Sequence, residues 1–398
     1  MGKGANVRNA VAAIELYCRK SNGRALKRLG SCIGASIGKN KSEGRESIVE
    51  QAVKLEKLRQ RRFRDGEASV AAIDTGVSNF AYSVFKWYKG DEVPTLVGWN
   101  KINLCQKFLG KHRLKMAMDP KDTWQVGRGL LEMFTNEMAV SDLYVVEKQR
   151  TRSFSSKNVL ESVLLSNVVE HILFSNLRNK QIYGNANTDY IVDSSNPQRM
   201  AQYWCDLKSL KTLHFRFAQS MGLKSRKDLR IDDKDTVLAT KVNKTIRINL
   251  VKTILKNAIE PQDYKMCNLT PRWKSKVERQ LNTGKKFRLL DCIGSGPELG
   301  TRKDDDLADS FLHGLAWMRW LRNYEGVAEI ITGNGGSFDR NVLAEFNEYC
   351  MSLDTEWTLM SPEMKGKLAE LNLTNDSATP DFEEDLESIK AIKRDSKL

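Results

Sequence analysis

Four carboxylates fall within six residues, at Asp304, Asp305, Asp306 and Asp309, and the apolar pair Phe311-Leu312 follows at once. On a helix, Asp305 and Asp306 stand four and three residues before Asp309, so all three share one face. Like charges at that spacing repel. A divalent cation, which takes hard oxygen ligands, would remove the penalty. The plain alternative is an N-terminal cap, because carboxylates favour the exposed N–H groups and the dipole of a helix start. A cap accounts for Asp304 or Asp305. It leaves Asp309 unexplained, a turn further in beside Leu307 and Phe311.

Two more acids close apolar runs. Ser69–Ile73 reads as a buried strand that stops at Asp74-Thr75-Gly76, and Leu143–Val146 reads as another that stops at Glu147. Alone, Asp-x-Gly is a turn, and Glu147 is a surface ion pair with the bases after it. Together with the aspartates they stand where α/β folds place chemistry, at the ends of buried strands. Three or four carboxylates from separate elements can hold two Mg²⁺ ions about 4 Å apart. Such a pair activates water for in-line attack on a phosphodiester and stabilises the leaving oxygen, so no nucleophilic Ser, Cys or His is required. Lys148, Gln149, Arg150 and Arg152 follow Glu147 directly, and side chains of this kind suit phosphate oxygens. Lys244 is a further candidate phosphate contact, at the opening of a helix. Phe154 and His171 read as packing residues, and His313, one turn after Asp309, as a supporting one.

The elements that position these residues follow from periodicity. Phe80–Phe85 alternates as a second strand, in a hairpin with the first, and Thr95–Trp99 is a third. A helix is expected over Trp124–Met138 before the Leu143–Val146 strand. Another spans Val159–Leu177, with Leu160, Val163, Leu164, Val168, His171, Ile172 and Leu173 on its apolar side. Tyr190–Val192 is a fifth strand. Lys241–Asn257 reads as a helix with Ile246, Leu250, Ile254 and Leu255 on one face, and Leu289–Ile293 as a short strand or loop. The aspartates open a last helix to about Tyr324. The order is βββαβαβα, an α/β fold with a mixed five-stranded sheet flanked by helices.

Charge narrows the partner. The 398 residues carry a net +14, but the stretch from Glu325 onward holds 16 acidic and 7 basic residues, so the first 324 carry +23. That excess points to a polyanion, with nucleic acid the default. No run of about 18 apolar residues exists, so no membrane span is expected. Seven scattered cysteines without a CxxC pair fit a reducing compartment and argue against a disulfide framework or structural zinc site.

Composition divides the chain into a basic helical module at 1–66, a nuclease-like domain at 67–325 with a basic insertion around 206–286, and an acidic, partly disordered extension at 326–398. The module reads as three helices: Ala10–Arg19, a short one containing Leu26, Leu29, Cys32 and Ile33, and one opened by Ser42 and running to about Arg64. Its first 40 residues hold eight Lys/Arg against one Glu, as in a mitochondrial transit peptide or a small DNA-binding module. Lys27-Arg28-Leu29-Gly30 and Ile37-Gly38-Lys39, ahead of an amphipathic helix, resemble a SAP-type helix-turn-helix. Lys27, Arg28 and Lys39 are thus candidate DNA contacts.

Three segments carry a wider resemblance: Ile73–Ser83, Val146–Arg152 and Arg302–Phe311. They resemble the signature segments of the yeast mitochondrial Holliday junction resolvases, relatives of bacterial RuvC within the RNase H-like superfamily, over roughly residues 10–325. The resemblance implies an RNase H-like fold with Asp74, Glu147 and Asp309 as catalytic metal ligands. An i,i+3 spacing favours Asp306 as the fourth and an i,i+4 spacing Asp305. It implies Mg²⁺ or Mn²⁺, a homodimer that nicks two strands of like polarity in a four-way DNA junction, and residence in the mitochondrial matrix. Lys244 resembles the basic residue that opens the corresponding RuvC helix. Other readings are another RNase H-like nuclease, a DNA-binding module without activity, and an actin-like ATPase using Asp74-Thr75-Gly76 for phosphate. The ATPase reading lacks the second Asp-x-Gly loop of a duplicate half, and the inactive module should lack one of the acids.

Overall fold

β1 (Glu67–Thr75) is the axis of the computed structural model, pairing antiparallel with β2 (Phe80–Tyr88) and parallel with β4 (Leu143–Glu147). β3 (Thr95–Ile102) continues antiparallel from β2, and β5 (Ile191–Ser195) parallel from β4. Residues 68–73 are buried on both faces of the sheet, which is why they read as an unbroken apolar run and not as an alternating one. These five strands form the mixed sheet expected. A sixth, β6 (Asn268–Leu269), pairs parallel with the outer edge of β3, giving β5-β4-β1-β2-β3-β6. Two residues are too few to leave a periodic signature. The structure describes residues 3–36, 40–110, 119–149, 161–183, 189–204, 236–260, 265–283, 287–294, 303–334 and, in part, 342–349.

One face of the sheet is covered by α4 (Leu104–Leu109), α5 (Pro120–Glu132) and α6 (Glu161–Tyr183). α5 starts at an Asp119 cap and passes into a π-turn at Met133–Glu137, so the helix expected to Met138 ends early. In α6 the inward line is Leu165, Val169, Leu173 and Leu177, packed with Ile73, Phe80, Tyr82 and Val146. That stripe is rotated by one residue from the expected one: Leu164 is 40% exposed, and His171 is exposed instead of packed. The helix carries apolar residues on more than one side, so periodicity alone does not choose the phase.

The opposite face is built around the last helix. α7 (Pro197–Trp204), α8 (Thr236–Ile259), α9 (Pro271–Leu281) and α10 (Leu289–Ile293) precede it, and α10 is helical where a strand or loop was expected. α8 buries Leu250, Val251, Ile254 and Leu255. α11 (Asp305–Gly333) crosses the sheet and is buried on nearly every side. Three side chains fasten its backbone: Ser83 Oγ donates to Ser310 O at 2.7 Å, Trp99 Nε1 to Leu307 O at 3.1 Å, and Trp204 Nε1 to Leu312 O at 2.9 Å. A Cβ on Gly314 would lie 2.7 Å from Ser83 Oγ and 2.8 Å from the Phe85 ring, so glycine sets how close α11 sits to β2.

The expected boundary at 325–326 falls inside α11, where Val327, Ala328 and Ile331 are fully buried. Beyond it, Phe346 packs on Tyr17 and Tyr349 Oη donates to Asn323 O, so the extension begins well after 326. α1 (Lys3–Lys20), α2 (Gly23–Ile33) and α3 (Lys41–Asp65) do not form a body of their own either. α2 ends at Gly34, φ 71°, whose missing Cβ lets the Trp320 ring of α11 close on it. Asn323 Nδ2 donates to Cys32 O, Tyr324 Oη to Glu56, and Arg62 makes a two-toothed ion pair with Glu325. One compact unit runs from Met1 to Asp354. α3 is capped by Asn40, whose side chain accepts from Glu43 N, and not by Ser42.

Candidate active site

The parallel register Ile73↔Val146 brings the next residues, Asp74 and Glu147, out side by side at the ends of adjacent strands. The first two turns of α11 add Asp305, Asp306 and Asp309. The charges of these acids bear on Asp74 and on Asp309. Burial, then the charges of Glu147, Asp306, Asp309 and Asp305, push the Asp74 carboxyl well above its ordinary value. Asp309 is pushed up to about 8 by burial, with Arg247 pulling it back and Glu147, Asp305 and Asp306 pushing further. Asp305 ranks above Asp306 in its effect on Asp309, and Asp306 above Asp305 in its effect on Asp74.

Four of the acids face a nitrogen, each from a different stretch of chain. Gln149 Nε2 donates to Asp74 Oδ1 at 3.3 Å. His313 Nε2 stands 3.5 Å from Glu147 Oε2. Lys101 Nζ donates to Asp306 Oδ2 at 2.8 Å, and Arg247 Nη1 lies 2.6 Å from Asp309 Oδ1. Behind Gln149, its backbone N–H donates to Glu170 Oε2 at 2.8 Å, and burial raises the Glu170 carboxyl. Glu147 Oε2 and both His313 nitrogens are enclosed without a hydrogen-bond partner.

These side chains fit a divalent metal. The donors are hard oxygens, Glu147 Oε2 is buried without a hydrogen-bond donor, and the acids burden one another unless a cation compensates them. Among the described residues no three acidic, His or Cys side chains stand as a preformed cage. The acids are turned instead toward the nitrogens above.

Of the expected DNA contacts, Lys148 and Lys27 are exposed and Arg28 is half-buried. Gln149 faces Asp74. Arg150, Arg152 and Lys39 lie outside the described residues, as does the side chain of Lys244. The basic residue that α8 does bring to the site is Arg247, one turn on from Lys244. Asp304 is a cap, but of a different helix from the one expected: its two oxygens accept from Leu289 N and Leu290 N of α10, at 3.1 Å each.

Lys101, Arg247 and Glu170 were not singled out from the sequence, yet each left a trace. Lys101 shares the inward parity of Trp99 on β3. Arg247 precedes Leu250 and Val251 by three and four residues, and Glu170 precedes Leu173 and Leu177 by three and seven, so both sit on buried helix faces.

A family model described as mitochondrial resolvase Ydc2 / RNA splicing MRS1 matches residues 70–327. The mitochondrial cruciform cutting endonuclease 1 of Saccharomyces cerevisiae is 36% identical over 346 residues, covering 85% of this chain and 92% of that protein. The mitochondrial RNA-splicing protein MRS1 of Saccharomyces paradoxus is 26% identical over 357 residues, 86% of this chain and 92% of its own. Among solved structures, the yeast mitochondrial Holliday junction resolvase Ydc2 matches with a TM-score of 0.44 and 16% identity, over 79% of this chain and 100% of that one. Thermus thermophilus RuvC matches with a TM-score of 0.23 and 13% identity, over 44% and 89%. With acids on β1, β4 and α11 inside the matched segment, the chain belongs to the mitochondrial resolvase Ydc2 / RNA splicing MRS1 family.

Proposed function

We propose that this protein is a mitochondrial Holliday junction resolvase, a structure-selective endonuclease that hydrolyses phosphodiesters in four-way DNA junctions. The observation that carries the reading is that β1, β4 and α11 bring Asp74, Glu147 and the α11 aspartates near enough for their charges to bear on Asp74 and Asp309. In the catalytic site Asp74, Glu147 and Asp309 would hold Mg²⁺ or Mn²⁺, two ions per site, with a fourth ligand from the Asp305–Asp306 pair. Bound there, the metal supplies an activated water and Lewis acidity toward the phosphodiester. The chain's own residues prepare that chemistry. Gln149 and Lys101 orient Asp74 and Asp306, and Arg247 balances Asp309 until a phosphate arrives to share it. Lys148, Arg150 and Arg152 bear on the DNA backbone beside the cut. A homodimer would place two such sites on two strands of like polarity.

The family also includes RNA-splicing proteins, so the test compares substrates. Wild-type protein with Mg²⁺ is offered a synthetic four-way DNA junction, linear duplex, RNA–DNA hybrid and a structured RNA. Paired nicks in the junction alone support the reading; binding of RNA without cleavage of any substrate would overturn it.

A further inference from the structure

Among the described residues, Lys101 is the only lysine in the core, with 0% of its surface exposed. It stands on β3 with its ammonium under the first turn of α11, where Nζ donates to Asp306 Oδ2 and to Lys303 O, both at 2.8 Å. Burying an ammonium is costly even when it is paired, and a buried ion pair is a poor way to gain stability. Apolar side chains fill the neighbouring space, with Trp99 and Phe311 in ring contact nearby, so an apolar residue would suit the position for packing alone. What an apolar residue would not supply is a fixed positive charge on Asp306, whose own charge bears on Asp74 and Asp309.

We propose that Lys101 is a resident cation of the carboxylate site, a positioning residue that acts through Asp306. It subtracts one unit of negative charge and so sets how tightly the site takes a divalent metal. The inference rests on reading the five acids as a metal site. A covalently tethered cation cannot leave, so it opposes every metal ion that enters. Its value lies in keeping metal binding reversible inside a cluster that would otherwise hold cations too firmly. The long-range part of this effect needs no contact between Lys101 and the metal, because Coulomb forces in a partly enclosed site extend over several ångströms.

The test is a calorimetric titration of the full chain with Mn²⁺, without DNA. Lys101→Met removes the charge at similar volume and should lower the Mn²⁺ concentration at half-saturation by about tenfold or more. A merely structural role would lower Tm and leave Mn²⁺ binding unchanged or weaker. Should Lys101→Met fail to fold, the same readout comes from Lys101→Met/Asp306→Asn against Asp306→Asn. The double variant strands no charge and should have the higher Tm and the tighter Mn²⁺ binding. Asp309→Asn separates this inference from the reading beneath it. If Asp309→Asn loses Mn²⁺ while removal of Lys101 brings no tightening, the resident-cation inference alone is overturned. If wild type takes up no Mn²⁺, both are overturned.

Discussion

Arg247 Nη1 lies 2.6 Å from Asp309 Oδ1, closer than the other nitrogen–carboxylate contacts described around the site, and it ties α8 to the first turns of α11. The guanidinium offsets part of the charge that burial and the neighbouring acids make costly on this carboxylate. It also marks Asp309 as the acid whose loss should be most informative. Asp309→Asn keeps the size and removes the charge. Junction binding should persist and nicking should disappear, by more than the 10–100-fold typical of losing an outer partner of a metal ligand. A gel assay that reads binding and cleavage separately checks it, and cleavage retained in this variant would remove Asp309 from the catalytic set.

Stability should depend on pH and metal together. Asp74 and Asp309 have folded-state values raised above the unfolded chain's, Asp309 to about 8 from 3.8. The folded protein therefore holds protons that the unfolded chain has released, and raising the pH through that window favours unfolding. Thermal melts in EDTA should show Tm falling from about pH 5 to about pH 8, with Mg²⁺ or Mn²⁺ restoring most of the loss at the upper end. A flat profile in EDTA would mean that these acids are not close enough to burden one another.

Arg150 follows the catalytic strand by three residues and is assigned to DNA phosphate. Arg150→Ala should weaken junction binding and reduce the slope of log affinity against log salt by about one. Titrations at several salt concentrations give the slope directly, and an unchanged one would place Arg150 away from the DNA.

Gly314 sets the spacing between α11 and β2, and a methyl group there meets Ser83 and Phe85 below 3 Å. Gly314→Ala should cost about 1–3 kcal/mol, as overpacking does, and displace the aspartates carried by the same helix. Cleavage by the fraction that remains folded should fall further than Tm implies. Equal activity per folded molecule would show that the helix absorbs the methyl without moving its first turns.

The acids themselves were legible because each interrupts a local pattern. Asp74 and Glu147 end unbroken apolar runs, which the strands carry because both faces of the sheet are covered, and Asp309 intrudes on an apolar helix face. Their partners were not legible in the same way. Lys101 lies more than 200 residues before Asp306, and nothing near it in the chain says that a carboxylate will cover it. Asp304 shows the same limit from the other side. Its residue type signals a cap, but the helix it caps, α10, reaches it by tertiary folding. The α6 stripe missed by one residue because Leu164 and Leu165 are equally apolar, and only contact with the sheet separates them.

α11 carries three of the acids in its first two turns, and toward its far end it is fastened to the N-terminal helices through Trp320, Asn323, Tyr324 and Glu325. The blade and the keystone are thus the same helix. A chain that has not yet docked α1 to α3 lacks the contacts that hold this helix in place, so its acids have no fixed station over β1 and β4. Loosening α2 or α3 is thus expected to loosen the aspartates as well, although those helices carry none of the acids.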